Sequence, residues 1–323
     1  MLWLFKAARR LRELGILGMN HRNAACILDH NPRAFYPLVD DKLRMAALCR
    51  RIGVPTPAVH AEVSSYSMLR RLPVLLGDRS DFVIKPNRGS AGRGVLVVAG
   101  RDGRDYVRHN GERLRPDALR QHCSDILSGM YSLGGQPDTA IVQQRVHLHP
   151  AFSAVSYKGI PDVRVILYRN EPAMAMLRLP TKASNGRANL HQGGIGTGID
   201  LDSGVTHHAV QRNRFIDRHP DTGRPVVGML VPHWELVLDM SRRAARAVGL
   251  GYLGVDIVVD KEAGPMLLEA NARPGLAIQI ANGRGLLPRL RAIDALLDQA
   301  PRTLALERLR SVPRPPAAAR KSA

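Results

Sequence analysis

The stretch DFVIKPNRGSAGRGVLVVAG, residues 81–100, limits what this chain can fold into more than any other. Two β-rich runs, FVIKP and GVLVVAG, bracket NRGSAGR, which reads as a strand, a flexible glycine loop and a returning strand. Loops of this kind cradle phosphates, because missing side chains let backbone N–H groups approach the oxygens. A Walker loop is excluded: GSAGRG lacks the GK[ST] ending and runs into a strand rather than a helix. GGIGTG at 193–198 has neither a strand before it nor a helix after it, which argues against a dinucleotide fold. Two readings remain: a bare glycine-rich hairpin, or a loop of Gly89, Ser90, Gly92 and Gly94 folding over a nucleotide. In the second, Lys85 on the leading strand sets a positive charge on the phosphates. The chain uses arginine 40 times and lysine only seven times, so a lysine at this place hints at a chemical task.

A second constellation lies near the C-terminal end. GVDIVVD and LLEANARPG put Asp256, Glu269 and Asn271 on two successive strands. Residues at i and i+2 of a strand face the same side, so Glu269 and Asn271 point together while Asp256 reaches them from its neighbour. Carboxylates facing inward between apolar strands are costly unless they hold something. An all-oxygen set suits Mg²⁺, with Mn²⁺ as a substitute, completed by nucleotide phosphates and water.

The rest of the chain is that of a globular, enzyme-sized protein with many turns: 323 residues, 45% hydrophobic, 22 prolines. DKLRMAALCRRI at 41–52, SSYSMLRRL at 64–72, 116–130, 233–250 and LLPRLRAIDALLDQ read as helices. TAIVQQRVHL at 139–148, 162–169, 172–180, YLGVDIVVD and GPMLLEANA read as strands. Residues 183–206, rich in Gly, Asn and Ser, read as a functional loop or lid. Cys26, Cys49 and Cys123 form no metal or redox spacing and read as reduced core thiols of a cytoplasmic protein. The start MLWLFKAARRLRELGILG has charges inside its apolar part, unlike a cleavable signal, and reads as a basic amphipathic helix packed on the body or touching a membrane or partner. No apolar run reaches the length of a membrane span. The formal charge of +19 favours an acidic partner or reflects an arginine-rich solvated surface. His147 and His149 alternate on a strand without a third ligand and read as structural. His207 and His208 receive no role.

Together the motifs resemble the ATP-grasp superfamily, and within it the ribosomal-protein glutamate ligase branch, specifically the alpha-L-glutamate ligase-like proteins, over roughly residues 40–290. DDKLRMAALCRRIGVPTP is similar to that branch's opening, which makes Lys42 a first nucleotide-contacting lysine, with Lys85 the second. IVQQRV resembles the hinge strand that hydrogen-bonds adenine, nominating Gln143, Gln144 and Val146. DVRVILY resembles the DxR strand, whose Arg164 would face the transferred phosphate. RANLHQGG is similar to RSNLHRGG, nominating Arg187 and Asn189 for phosphate or acyl-phosphate contact. NARPG matches the loop where substrate approaches, nominating Arg273, and Asp256, Glu269 and Asn271 match the metal ligands. The sequence departs from the pattern in the short segment before Lys42, in Gln144 where Glu is common, and in Arg273 where the closest enzymes carry a small residue.

The resemblance implies an α/β (α+β) ATP-grasp fold in which two α+β subdomains sandwich ATP, with a truncated N-terminal region. The expected division is a helical or irregular segment 1–40, a small lid subdomain 41–145 with the glycine loop, a large subdomain 146–300 with the Mg²⁺ site, and a disordered basic tail 301–323. The implied activity is that of an ATP- and Mg²⁺-dependent carboxylate-amine ligase, forming an amide through an acyl phosphate, of glutamate type on a peptide or small carboxylate. Its partners would be an amino acid and a carboxylate, or an acidic peptide or protein. Self-association and peripheral membrane contact stay open. The competing readings are a basic module binding RNA or an acidic polypeptide, against which the low aromatic content argues, and an ATP-grasp kinase or sugar-associated enzyme.

Overall fold

The structure is a computed structural model that describes residues 2–89 and 92–299. The tail expected to be disordered lies outside the described residues.

The first sheet contains β1 (Val59–Val63), β2 (Phe82–Pro86), β3 (Leu96–Asp102), β4 (Asp105–Arg108), β5 (Arg113–Leu114) and β6 (Ala140–Gln143), in the spatial order β1-β6-β2-β3-β4-β5. The expected hairpin around the glycine loop forms: β2 and β3 pair antiparallel, Phe82 opposite Val98 and Ile84 opposite Leu96. Phe82, Ile84, Val98 and Val142 turn one way, onto Leu119, Cys123 and Ile126 of the helix Pro116–Leu127. Lys85, out of phase with Phe82 and Ile84, faces the other side of the sheet.

The second sheet contains β7 (Asp162–Tyr168), β8 (Glu171–Leu179), β9 (Ile195–Ile199), β10 (Thr206–Gln211), β11 (Arg214–Ile216), β12 (Tyr252–Asp260) and β13 (Gly264–Asn271), in the order β11-β10-β9-β8-β7-β12-β13, all antiparallel. Val163, Val165 and Leu167 pack toward Val237, Met240 and Ala244 of the helix Trp234–Val248. Ile166 and Tyr168 face the opposite layer, with Ile278 and Leu290. Followed back along β7, that second face carries Arg164 and Asp162, so period-2 geometry lays charge and apolar core end to end on one surface.

Three expectations change. SSYSMLRRL is two short helices, Tyr66–Arg70 and Leu72–Leu76, because Pro73 lacks an N–H and its ring would clash with the carbonyl four residues back. The strand expected over 139–148 stops at Gln143, and Leu148 bridges separately to Asp260. Residues 183–206 are not one loop: Ile195–Ile199 is a buried strand inside the large sheet. Its glycines serve close approach rather than mobility. A Cβ on Gly196 would meet Leu190 at 2.6 Å, and one on Gly198 would meet His207 at 2.7 Å. The cysteine reading stands in its physical part: all three thiols are free and buried, and burial pushes Cys26 up to about 11 and Cys49 and Cys123 to about 12.

Candidate active site

A cavity of about 460 Å³ lies where the two sheets meet. Its lining includes Lys42, Arg88 and Gly89 together with Arg164, Arg178, Asn189, Glu269, Asn271 and Arg273 of the second sheet and its loops.

On the glycine-loop side, Asp41 caps the helix Lys42–Arg51, whose Met45, Leu48 and Cys49 pack in the core of the large sheet, by accepting from the Arg44 amide at 3.0 Å, which fixes where Lys42 starts. Lys42 Nζ donates to the carbonyls of Asn87 at 3.1 Å and Gly89 at 2.6 Å. The lysine is therefore tied to the base of the glycine loop. Asp138, which no motif flagged, is the loop's other anchor, accepting from the Arg88 amide at 2.8 Å and Ser132 Oγ at 3.1 Å. Lys85 is buried. Burial, joined by repulsion from Lys42, pulls it down to about 8 against the attraction of Glu269. Burial lowers Lys42 as well, with Glu269 opposing. Two cations withdrawn from water and repelling each other stand under one loop.

The second-sheet side is compensated from within. Register puts Asp256 opposite both Arg164 and Glu269, and Gly254 opposite Asn271. A bulge between these pairs and Ile257 opposite Leu267 leaves Leu268 unpaired and keeps Glu269 and Asn271 in phase with Asp256. Asp256 accepts from Arg164 Nε at 2.7 Å and Nη2 at 2.6 Å, and lies 2.8 Å from Arg178 Nη2. Arg178 also donates to Asp162. Burial would raise the Asp256 carboxyl, but Arg164 and Arg178 outweigh it and hold it well below the usual carboxylate range. Burial, with repulsion from Asp256, pushes Asp162 up to about 7 against the pull of Arg178.

The nominated residues thus divide. Lys42, Gly89, Arg164, Asn189, Glu269, Asn271 and Arg273 line one cavity. Lys85 and Asp256 are coupled to that wall, the first through Lys42 and Glu269, the second through Arg164. Asn189 caps a short turn through the His191 amide at 3.0 Å. Arg187 is exposed and donates to Gln192 Oε1 at 3.4 Å, away from the cavity lining. Gln143 donates to the Pro57 carbonyl at 3.0 Å and Gln144 accepts from the Ala58 amide at 3.0 Å. Both glutamine side chains are spent on the segment leading into β1, while Val146 is buried with Val258 and Met266. Gly94 is left-handed, with φ of 71°, and its carbonyl meets His122 Nε2 at 2.9 Å. Gly92 is also left-handed, with φ of 70° and open space around it. Ser90 lies outside the described residues. Sequence reasoning passed over Arg178 and Asp162; the signal available was an arginine interrupting the apolar strand PAMAMLRLP, in phase with Met174 and Met176.

The donor set fits a hard cation. Glu269 and Asn271 offer oxygens at the cavity, with Asn271 Nδ2 3.4 Å from Glu269 Oε1, and Asp256 stands behind them with both oxygens held by arginine. The paired lysines opposite fit a polyphosphate.

The family described as sugar-transfer associated ATP-grasp matches residues 21–295. No curated protein matches the chain. Among solved structures, the chain is similar to the ATP-grasp ligase PsnB complexed with minimal precursor, at 19% identity over 84% of this chain and 64% of that one, TM-score 0.44. It is similar to D-cycloserine synthetase DcsG at 14% identity, 83% and 72% coverage, TM-score 0.44. The D-alanyl-alanine synthetase A from Vibrio cholerae O1 biovar eltor shares 11% identity over 79% and 63%, TM-score 0.48. The chain spans 60–64% of the length of the first three PsnB structures. Likeness at this level carries nothing about substrates.

Proposed function

The chain belongs to the sugar-transfer associated ATP-grasp family, and from that premise we propose that it is an ATP- and Mg²⁺-dependent carboxylate-amine ligase. The observation that supports this best is the pair of lysines, Lys85 buried and Lys42 half-buried, beside the glycine loop. Both are depressed by burial, Lys85 further by its neighbour's charge, so an entering anion favours their charged forms. When bound, ATP would supply the phosphoryl group, and Mg²⁺, for which Glu269 and Asn271 offer oxygens at the cavity with the arginine-held Asp256 behind them, would neutralise its charge.

Lys42 and Lys85 take the phosphates, with Gly89, Gly92 and Gly94 letting the loop backbone come close. Gln143, Gln144 and Val146 frame the adenine end by their backbone, since the two glutamine side chains are engaged elsewhere. Arg164, fixed on Asp256, faces the transferred group, and Asn189 with Arg187 meets the acyl phosphate. No side-chain nucleophile is needed: catalysis is positioning and charge neutralisation. An amine then displaces phosphate from the activated carboxylate. Arg273 stands at the substrate entrance.

Glutamate-type ligation is the finer reading, supported by the likeness of RANLHQGG and DVRVILY to the glutamate ligase branch. The family's association with sugar transfer favours a second reading, a sugar-linked acceptor, including a hydroxyl that would make the protein a kinase. Mg-ATP incubated with an amino-acid panel and sugar-linked carboxylates, with products read by mass spectrometry, separates them. An amide with ADP and phosphate is expected; a stable phosphorylated product without amide overturns the ligase reading.

A further inference from the structure

The chemistry above leaves Tyr36 and Asp40 of the cavity lining without a role, and gives Arg273 only a location. Tyr36 and Asp40 sit on the short helix Tyr36–Asp40. Four residues apart, they share a face, and both line the cavity. The same helix buries Val39 in the core of the large sheet, which holds that face in place. Arg273 follows β13 and lines the same cavity, its guanidinium carbon 5.2 Å from the Tyr36 ring centroid. Stacking fixes the guanidinium plane while leaving its N–H fork available.

Both charged groups are exposed. Among the described residues, no hydrogen bond or ion pair engages the Asp40 carboxylate, and none engages the Arg273 guanidinium; the two do not pair with each other. Asp40 stands exposed at the rim, yet burial raises its carboxyl, with Arg273 and then Lys42 opposing. An anion and a cation that feel each other across one cavity without closing on each other are complementary to a ligand carrying both signs. A plain carboxylate would leave Asp40 repelling it, and a plain amine would leave Arg273 unused.

We propose that Tyr36, Asp40 and Arg273 form a clamp for a free amino acid, with Arg273 taking its carboxylate and Asp40 its ammonium group. The proposal rests on the ligase reading only in naming that amino acid as a substrate of the same site. Tyr36 acts as a positioning residue through Arg273.

Binding is measured by equilibrium dialysis of the full chain, saturated with Mg²⁺ and a non-hydrolysable ATP analogue, against each of the twenty L-amino acids, then against the α-amide and the deamino acid of the best binder. The wild type should bind at least one amino acid and discriminate against both analogues. Asp40→Asn should weaken the amino acid about tenfold or more and lose discrimination against the deamino acid; Arg273→Met should do the same toward the α-amide. Arg273→Lys, which keeps the charge without the fork, serves if the methionine variant does not fold, and should be intermediate. Tyr36→Phe keeps the ring face and should retain binding within about twofold. Nucleotide affinity should hold in every variant. Unchanged binding in Asp40→Asn and the Arg273 variants, or no amino acid bound by the wild type, overturns the clamp. Binding that follows these patterns while ATP yields no amide overturns the ligase reading and leaves the clamp standing.

Discussion

The two walls of the cavity solve the burial of positive charge in opposite ways. On the second-sheet side, Arg164 and Arg178 are answered by Asp256 and Asp162 on facing strands. That cluster is paired without a ligand, while Glu269 and Asn271 beside it keep oxygens at the cavity. On the glycine-loop side, Lys42 leans on two backbone carbonyls, with Glu269, Asp138, Asp41 and Asp40 drawing on its charge, and Lys85 is buried with Glu269 opposing burial and the repulsion of Lys42. Burial outweighs those carboxylates at both lysines, so that wall gains when an anion arrives. One wall is therefore built for stability and presents a fixed surface, whereas the other stores a demand that binding relieves.

The sharpest way to break this contrast is to remove the acid from the paired cluster. Asp256→Ala leaves two nearly buried guanidiniums without their shared partner and should cost about 3–5 kcal/mol of stability, read by urea unfolding without ligand. A loss under about 1 kcal/mol would show that the arginines find other partners and that the wall is not self-compensated.

The lysine wall should respond to pH instead. Lys85 has an ordinary pKa of 10.5 and a folded value of about 8. Between those values the unfolded chain keeps a proton that the folded chain has released, so unfolding takes up a proton and stability rises with pH. Across the window the gain is roughly 3 kcal/mol at most. It should vanish in Lys85→Met, which should unfold no more easily than the wild type at pH 7 and lose ATP turnover about 100-fold or more. Bound triphosphate favours the charged lysine, so near pH 9 nucleotide binding should take up protons, detectable as a buffer-dependent binding enthalpy. Proton release there, or a Lys85→Met protein that keeps full turnover, would remove the anion-seeking role.

How far each wall could be read in the sequence follows from the same contrast. Lys85 stood out because a scarce residue sat in an apolar strand before a glycine loop, and the Asp256, Glu269 and Asn271 phase was visible from period-2 geometry. Arg178 and Asp162 were not, since in a chain this rich in arginine a single cation on a strand carries little signal until register sets it opposite a carboxylate. The reading of 183–206 as one loop fails for a related reason. Glycine density signals either freedom or close approach, and only tertiary packing against Leu190 and His207 shows that here it is close approach. Gln143 and Gln144 were nominated from the motif alone, and spacing did not reveal that their side chains are committed to Pro57 and Ala58 at the entry to β1.

The smallest expected effect belongs to a residue of neither wall. Arg187 lies on the segment between β8 and β9, exposed, its guanidinium meeting Gln192 at 3.4 Å and no carboxylate among the described residues. It has no buried acid to hold it, so any contact with the reacting group must form when that segment approaches the substrate. An interaction absent from the resting site and present near the transition state changes kcat more than binding. Arg187→Ala should therefore lower kcat about tenfold, with KM for ATP within about twofold and no change in unfolding. Lost ATP affinity at unchanged kcat would place Arg187 with the lysines as a ground-state phosphate ligand. An unaltered enzyme would mean that Arg164 and Asn189 suffice, and that the fixed wall alone meets the transferred phosphate.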